Sequence, residues 1–240
     1  MPSVRVPNFD PKTNGFPYAN SWPHDPIRQF SLGTVATLNI GDAANGLCGG
    51  MSFTTADLHA KGLTPGNDPQ PIAGSDRYRY IVNRQITSFD DGRLPWRFYT
   101  LMKPTRPDRE TPWAALLGRF GVDCHSRTYV MVHEEWPKIQ AAIDAGRLAM
   151  IGLVRIVSAE PTALSHNHQV LAFGYDLNGS TVVLRICDPN HPRDDTVTIT
   201  FDVADAMGSI NPYWSHKEPD ELACFFSYPY QAIDPAPFRP

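Results

Sequence analysis

The chain has 240 residues, 42% hydrophobic and 19% charged, the profile of a folded protein long enough to bury one large core. Its 21 basic and 25 acidic residues leave a formal charge of −4 with no gathered Lys/Arg face, which argues against a nucleic-acid partner. No apolar run approaches the roughly 18 residues that cross a bilayer, and the start MPSVRVPNFDPK lacks a signal-peptide core, so no membrane partner and a cytoplasmic location are expected.

Residues 1–40 mix proline, aromatics and short apolar runs such as Thr34 to Leu38, and predict an extended arm with one or two short strands. Turn-forming residues 41–46 break the chain, after which Leu47 to Ala60 reads as a helix stopped by Gly62. Helical pieces follow at 75–88, around Tyr78, Tyr80, Ile81 and Val82, at 93–102 and at 111–120, where Thr111-Pro112 supplies a cap and a first-turn proline. From Glu134 to Ala145, Trp136, Ile139 and Ile143 share one face, and Gly146 ends the helix.

Beyond Gly146 the period changes. Residues 148–157, 169–175, 181–187, 196–201 and 222–228 are short, rich in β-formers and bounded by turns. Residues 176–180, Asp-Leu-Asn-Gly-Ser, form a hairpin loop, and Val197, Ile199 and Phe201 alternate as one buried face should. The expectation is an α+β fold in a single domain, 1–240, with a helical subregion at about 45–145 packed on an antiparallel sheet at about 147–230. The four cysteines, at 48, 124, 187 and 224, lie far apart in a chain that does not need disulfide staples, and free thiols are expected.

One of them is placed for chemistry. Asn45-Gly46-Leu47-Cys48-Gly49-Gly50 sets Cys48 in the first turn of a helix, where unpaired N–H groups and the helix dipole favour a thiolate, and the glycines leave the sulfur approachable. A nucleophilic thiolate needs a proton partner, and His168 heads a predicted strand. The hairpin through Asn178-Gly179 returns Asp188 beside it, where a carboxylate would orient and stabilise the imidazolium. His166 competes with His168 as the base, and Asn190 with Asp188 as the third member. Cys124, Cys187 and Cys224 read as core thiols. Cys124, His125 and His133 lack a second close ligand pair, so no zinc site and no cofactor is called for. Trp96, Trp113, Trp136 and Trp214 read as core or groove-wall residues.

Gly-Leu-Cys-Gly-Gly-Met at 46–51, Ala145-Gly146-Arg147 leading to Ile151-Gly152-Leu153, the run from His168 to Asp176, and Cys187-Asp-Pro-Asn-His-Pro together resemble bacterial papain-like cysteine peptidases of the bacteriocin-processing type. The matching blocks cover about 45–60 and 134–201. The resemblance implies a papain-like fold, with Cys48 as nucleophile, His168 as general base and acid, and Asp188 as the orienting residue. In that family a glutamine several residues before the cysteine contributes to the oxyanion hole. Residues 39–45 contain none here, and Asn45 is the candidate donor, an ionised Asp42 being repelled by an oxyanion. Two functions follow as expectations. The first is a cysteine-dependent peptidase, amidase or acyltransferase acting on a peptide, amide or ester through a thioester. The other is a catalytically inactive binding or assembly protein on the same fold. Substrate identity, acyl acceptor and oligomeric state are not written in the sequence.

Overall fold

A computed structural model describes residues 2–22, 28–31, 37–40, 46–118, 120, 124–204, 212–216 and 222–239. The amino-terminal arm carries β1 (Ser3–Arg5) and a one-turn helix α1 (Pro11–Asn14), whose Asp10 cap accepts the Lys12 N–H. Two further strands, β2 (Arg28–Ser31) and β3 (Thr37–Ile40), form a separate antiparallel pair. The arm thus holds three described strands, one more than its sequence predicts.

The helical half follows. It comprises α2 (Cys48–Ala60), α3 (Asp76–Ser88), α4 (Arg93–Met102) and α5 (Pro112–Gly118). Then α6 (Arg127–Tyr129) runs through a π-helical turn (Val130–Glu135) into α7 (Trp136–Asp144). Local chemistry sets several of these limits. Ser75 caps α3 by accepting the Tyr78 N–H, Thr111 Oγ1 accepts the Ala114 N–H ahead of α5, and Gly146 leaves α7 at φ +71°. Of the predicted helix at 111–120, the described helix covers Pro112–Gly118.

Every residue of α2 from Cys48 to Leu58 is buried, which makes it the central helix, packed against α3 on one side and the sheet on the other. Its two glycines are there for that packing. A Cβ on Gly50 would sit 2.2 Å from the Ile81 carbonyl oxygen, and one on Gly49 would sit 2.3 Å from Gln169 Oε1. Access to the sulfur, the role expected from sequence, is not what the space around them serves: Cys48 is only 6% exposed.

The second half of the chain supplies β4 (Ala149–Val154), β5 (His168–Asn178), β6 (Thr181–Cys187), β7 (Thr198–Asp202), β8 (Tyr213–Trp214) and β9 (Cys224–Tyr228). Their order in the antiparallel sheet is β8-β7-β6-β5-β4-β9. Five of these match the predicted strands, β6 at both ends and the other four with shifted ends; the strand expected over 148–157 stops at Val154. β5 is long enough to pair with β4 through 168–172 and with β1 through 174–176, so the amino-terminal arm completes a seven-stranded sheet. Gly174 permits that junction, since a Cβ there would lie 2.7 Å from the Val4 carbonyl oxygen. The core between helices and sheet is built from residues such as Met51, Ile81, Ile139, Val170, Ile186 and Phe225. Trp136 and Trp214 are buried, whereas Trp96 and Trp113 are exposed and line no core. No helix among the described residues is long and apolar enough to cross a membrane.

Candidate active site

The site is a consequence of the β5–β6 register. Leu171 opposes Cys187, so the next pair along would be Val170 and Asp188, and His168 lies two residues from Val170 on the same face. Diagonal neighbours of this kind are within reach of an imidazole and a carboxylate. The His168 Nε2 to Asp188 Oδ1 distance is 2.6 Å, with both side chains buried.

Asp188 is held by three donors. Besides the His168 ring, the Asn190 N–H reaches Oδ1 at 2.9 Å, and His191 Nδ1 lies 3.2 Å from Oδ2. Burial by itself would raise the Asp188 carboxyl, but the His168 charge and these hydrogen bonds outweigh it and hold the group well below the usual carboxylate range. For His168, burial would lower the imidazole. The charge and hydrogen bond of Asp188, followed by those of Cys48, reverse this and raise it to about 10. His168 is therefore an imidazolium through neutral pH.

Cys48 completes the row. Its sulfur hydrogen-bonds to His168, and since Nε2 is engaged with Asp188, Nδ1 is the ring nitrogen left for it. Leu47, at the N-cap position of α2, makes no side-chain cap hydrogen bond, and the first-turn N–H groups are met from elsewhere. Gln85 Oε1 accepts from Gly50 at 2.8 Å and Asn20 Oδ1 accepts the Leu47 N–H at 2.7 Å, while no acceptor among the described residues meets the N–H of Cys48 itself.

Aromatic walls enclose the pair. The Trp214 ring stacks on His168, with centroids 5.8 Å apart and planes inclined at 22°, and the Arg155 guanidinium lies over the same indole. On the helix side, Tyr228 donates to Gln169 Oε1 at 3.0 Å; burial and then the Cys48 charge push its hydroxyl far above its ordinary titration.

Of the sequence-derived candidates, Cys48, His168 and Asp188 come together. His166 does not: it is exposed at the end of the 3-10 turn Pro161–His166. The Asn190 side chain bonds to Asn20, and it is the Asn190 main chain that reaches Asp188. Asn45 and Asp42 lie outside the described residues. All four thiols are free; Cys224 is fully buried, Cys187 is partly exposed but packs against the core, and burial raises both thiols to about 12, while Cys124 is half-buried outside the core. His125 bonds to Glu110 and stacks on Tyr129, and no three potential ligands cluster for a metal among the described residues. Trp214, expected as a core or groove-wall residue, is buried against His168, whereas Asn20, Gln85 and His191 were not found by sequence reasoning. Only His191 carried a local signal, three residues after Asp188.

Searches against models of protein families, curated proteins and solved structures return no match to this chain.

Proposed function

We propose that the chain is a papain-like, cysteine-dependent acyl-transfer enzyme, a peptidase or amidase, that works through Cys48, His168 and Asp188. The observation that carries this reading is the buried row in which a cysteine at a helix start meets a histidine kept cationic by a carboxylate 2.6 Å away. A structural cysteine needs no such partner, and the row sets a thiolate beside its own proton donor.

In the reaction, the Cys48 thiolate attacks the carbonyl carbon of an amide or ester, forming the S–C bond and moving the π electrons onto oxygen. In this reading the Cys48 N–H, at the start of α2, receives that oxyanion. Collapse expels the amine or alcohol, which takes its proton from His168, and leaves a thioester on Cys48. His168, now neutral, removes a proton from water or an acceptor amine, whose attack releases the acyl group and restores the thiolate–imidazolium pair. Asp188 orients the ring and stabilises its charged form throughout.

The test is incubation with an activated ester, p-nitrophenyl acetate, followed by intact-mass analysis and peptide mapping. An acetyl group on Cys48, absent from Cys48→Ser and from His168→Ala, is the expected result. No acylation, with the protein folded, would refute the enzyme and favour the binding or assembly protein expected as the alternative.

A further inference from the structure

We infer that Asn20, 28 positions before Cys48, is a positioning residue that sets the Cys48–His168 geometry; the inference rests on the catalytic reading just given. Four hydrogen bonds converge on it. Its Oδ1 accepts the Leu47 N–H at 2.7 Å and the Trp22 indole N–H at 3.0 Å. Its Nδ2 donates to Asn190 Oδ1 at 3.3 Å, and its own N–H donates to the Pro189 carbonyl at 2.9 Å.

These bonds close a ring. From Leu47, covalently joined to Cys48, the path runs through the Asn20 amide to Asn190, from the Asn190 N–H to Asp188 Oδ1, on to His168 Nε2, and back to Cys48. Nucleophile and orienting carboxylate stand on different elements, the α2 start and the β6 exit, and the Asn20 side chain bonds beside both, to Leu47 and to Asn190. An amide suits the place because one end must accept while the other donates. The adjoining backbone is shaped around it: Gly46 has φ +50°, and a Cβ there would lie 2.3 Å from Asn20 Nδ2.

Asn20→Ala leaves the buried Leu47 N–H without its acceptor and frees the helix start from the Asp188 turn. Cys48 alkylation by iodoacetamide, mapped by peptide, is the readout, taken as the rate at pH 6 and as its ratio to the rate at pH 9. For Asn20→Ala we expect the pH 6 rate to fall about tenfold and the ratio to fall with it, since the sulfur moves away from the imidazolium. Asn190→Ala removes only the Nδ2 link and should fall by a smaller factor, which decides the matter if Asn20→Ala does not fold. Tyr230→Phe, which removes the hydroxyl bonded to Asp57 at 2.7 Å, serves as a destabilised control and should leave both quantities unchanged. Wild-type rate and ratio in both asparagine variants, with His168→Ala strongly impaired, would overturn the role of Asn20 alone. An unimpaired His168→Ala would overturn the catalytic reading and this inference together.

Discussion

Replacing Asp188 by Asn keeps the shape of the side chain and an acceptor oxygen for the His168 ring, and removes only the charge. An opposite charge at hydrogen-bonding range shifts a titration enough to change the charged population by about 10- to 1000-fold. Without it only Cys48 opposes the effect of burial, and His168 falls from about 10. Cys48 then faces a ring that is charged less of the time, so its alkylation at pH 6.5 should slow by about tenfold or more. Stability should change with a defined pH dependence. His168 is raised on folding, so its contribution is complete below pH 6.5 and is lost as pH rises toward 10; Asp188 is depressed, so its contribution is present above 3.8 and is lost below that. The gap between wild type and variant, about 3 kcal/mol at its widest, should therefore span pH 4 to 6.5 and narrow by pH 10. Urea unfolding at pH 5, 7.5 and 10 measures it. A gap that stays constant to pH 10, with Cys48 reactivity unaltered, would refute the ion pair.

Trp214→Ala uncovers His168 and empties a buried indole site, and should cost about 3–5 kcal/mol in urea unfolding while slowing Cys48 alkylation; Trp214→Phe should recover most of both. Gly50→Ala drives a methyl group against the Ile81 carbonyl and should destabilise by about 1–3 kcal/mol or more, read as a lower denaturation midpoint. Asp57→Ala removes the carboxylate that bonds to Arg84, Tyr80 and Tyr230 and to the Ile233 N–H, leaving the buried Arg84 charge unpaired. A loss of about 3–5 kcal/mol is expected, with cleavage by a nonspecific protease appearing first in the 229–239 segment.

The parts of this fold legible in the sequence are those set by neighbours in the chain. Ser75, Thr111-Pro112 and Gly146 mark helix ends by capping chemistry, and Asn178-Gly179 marks a hairpin. That hairpin fixes a register, and the register brings His168 to Asp188, which is why this part of the candidate site is legible in the sequence. What could not be read depends on distant partners. Ser3–Arg5 has no internal reason to join β5, about 170 residues away, and Asn20 looks like any turn residue until the Leu47 N–H and Asn190 arrive beside it. Trp214 is one aromatic among several, and only its two-residue strand on the sheet edge lays it over the imidazole. Gly49-Gly50 was legible as a pattern but not in its cause, because the atoms that exclude a Cβ belong to Gln169 and Ile81.

The most direct test of the central claim is the pH dependence of Cys48 alkylation from pH 5 to 9 in wild type and in His168→Ala, with Cys224 as the buried internal reference. Wild-type Cys48 should react rapidly already at pH 6, where Cys224 stays unlabelled, and His168→Ala should lose about tenfold or more at that pH while His166→Ala keeps the wild-type profile. Equal Cys48 rates with and without the His168 ring would contradict the account.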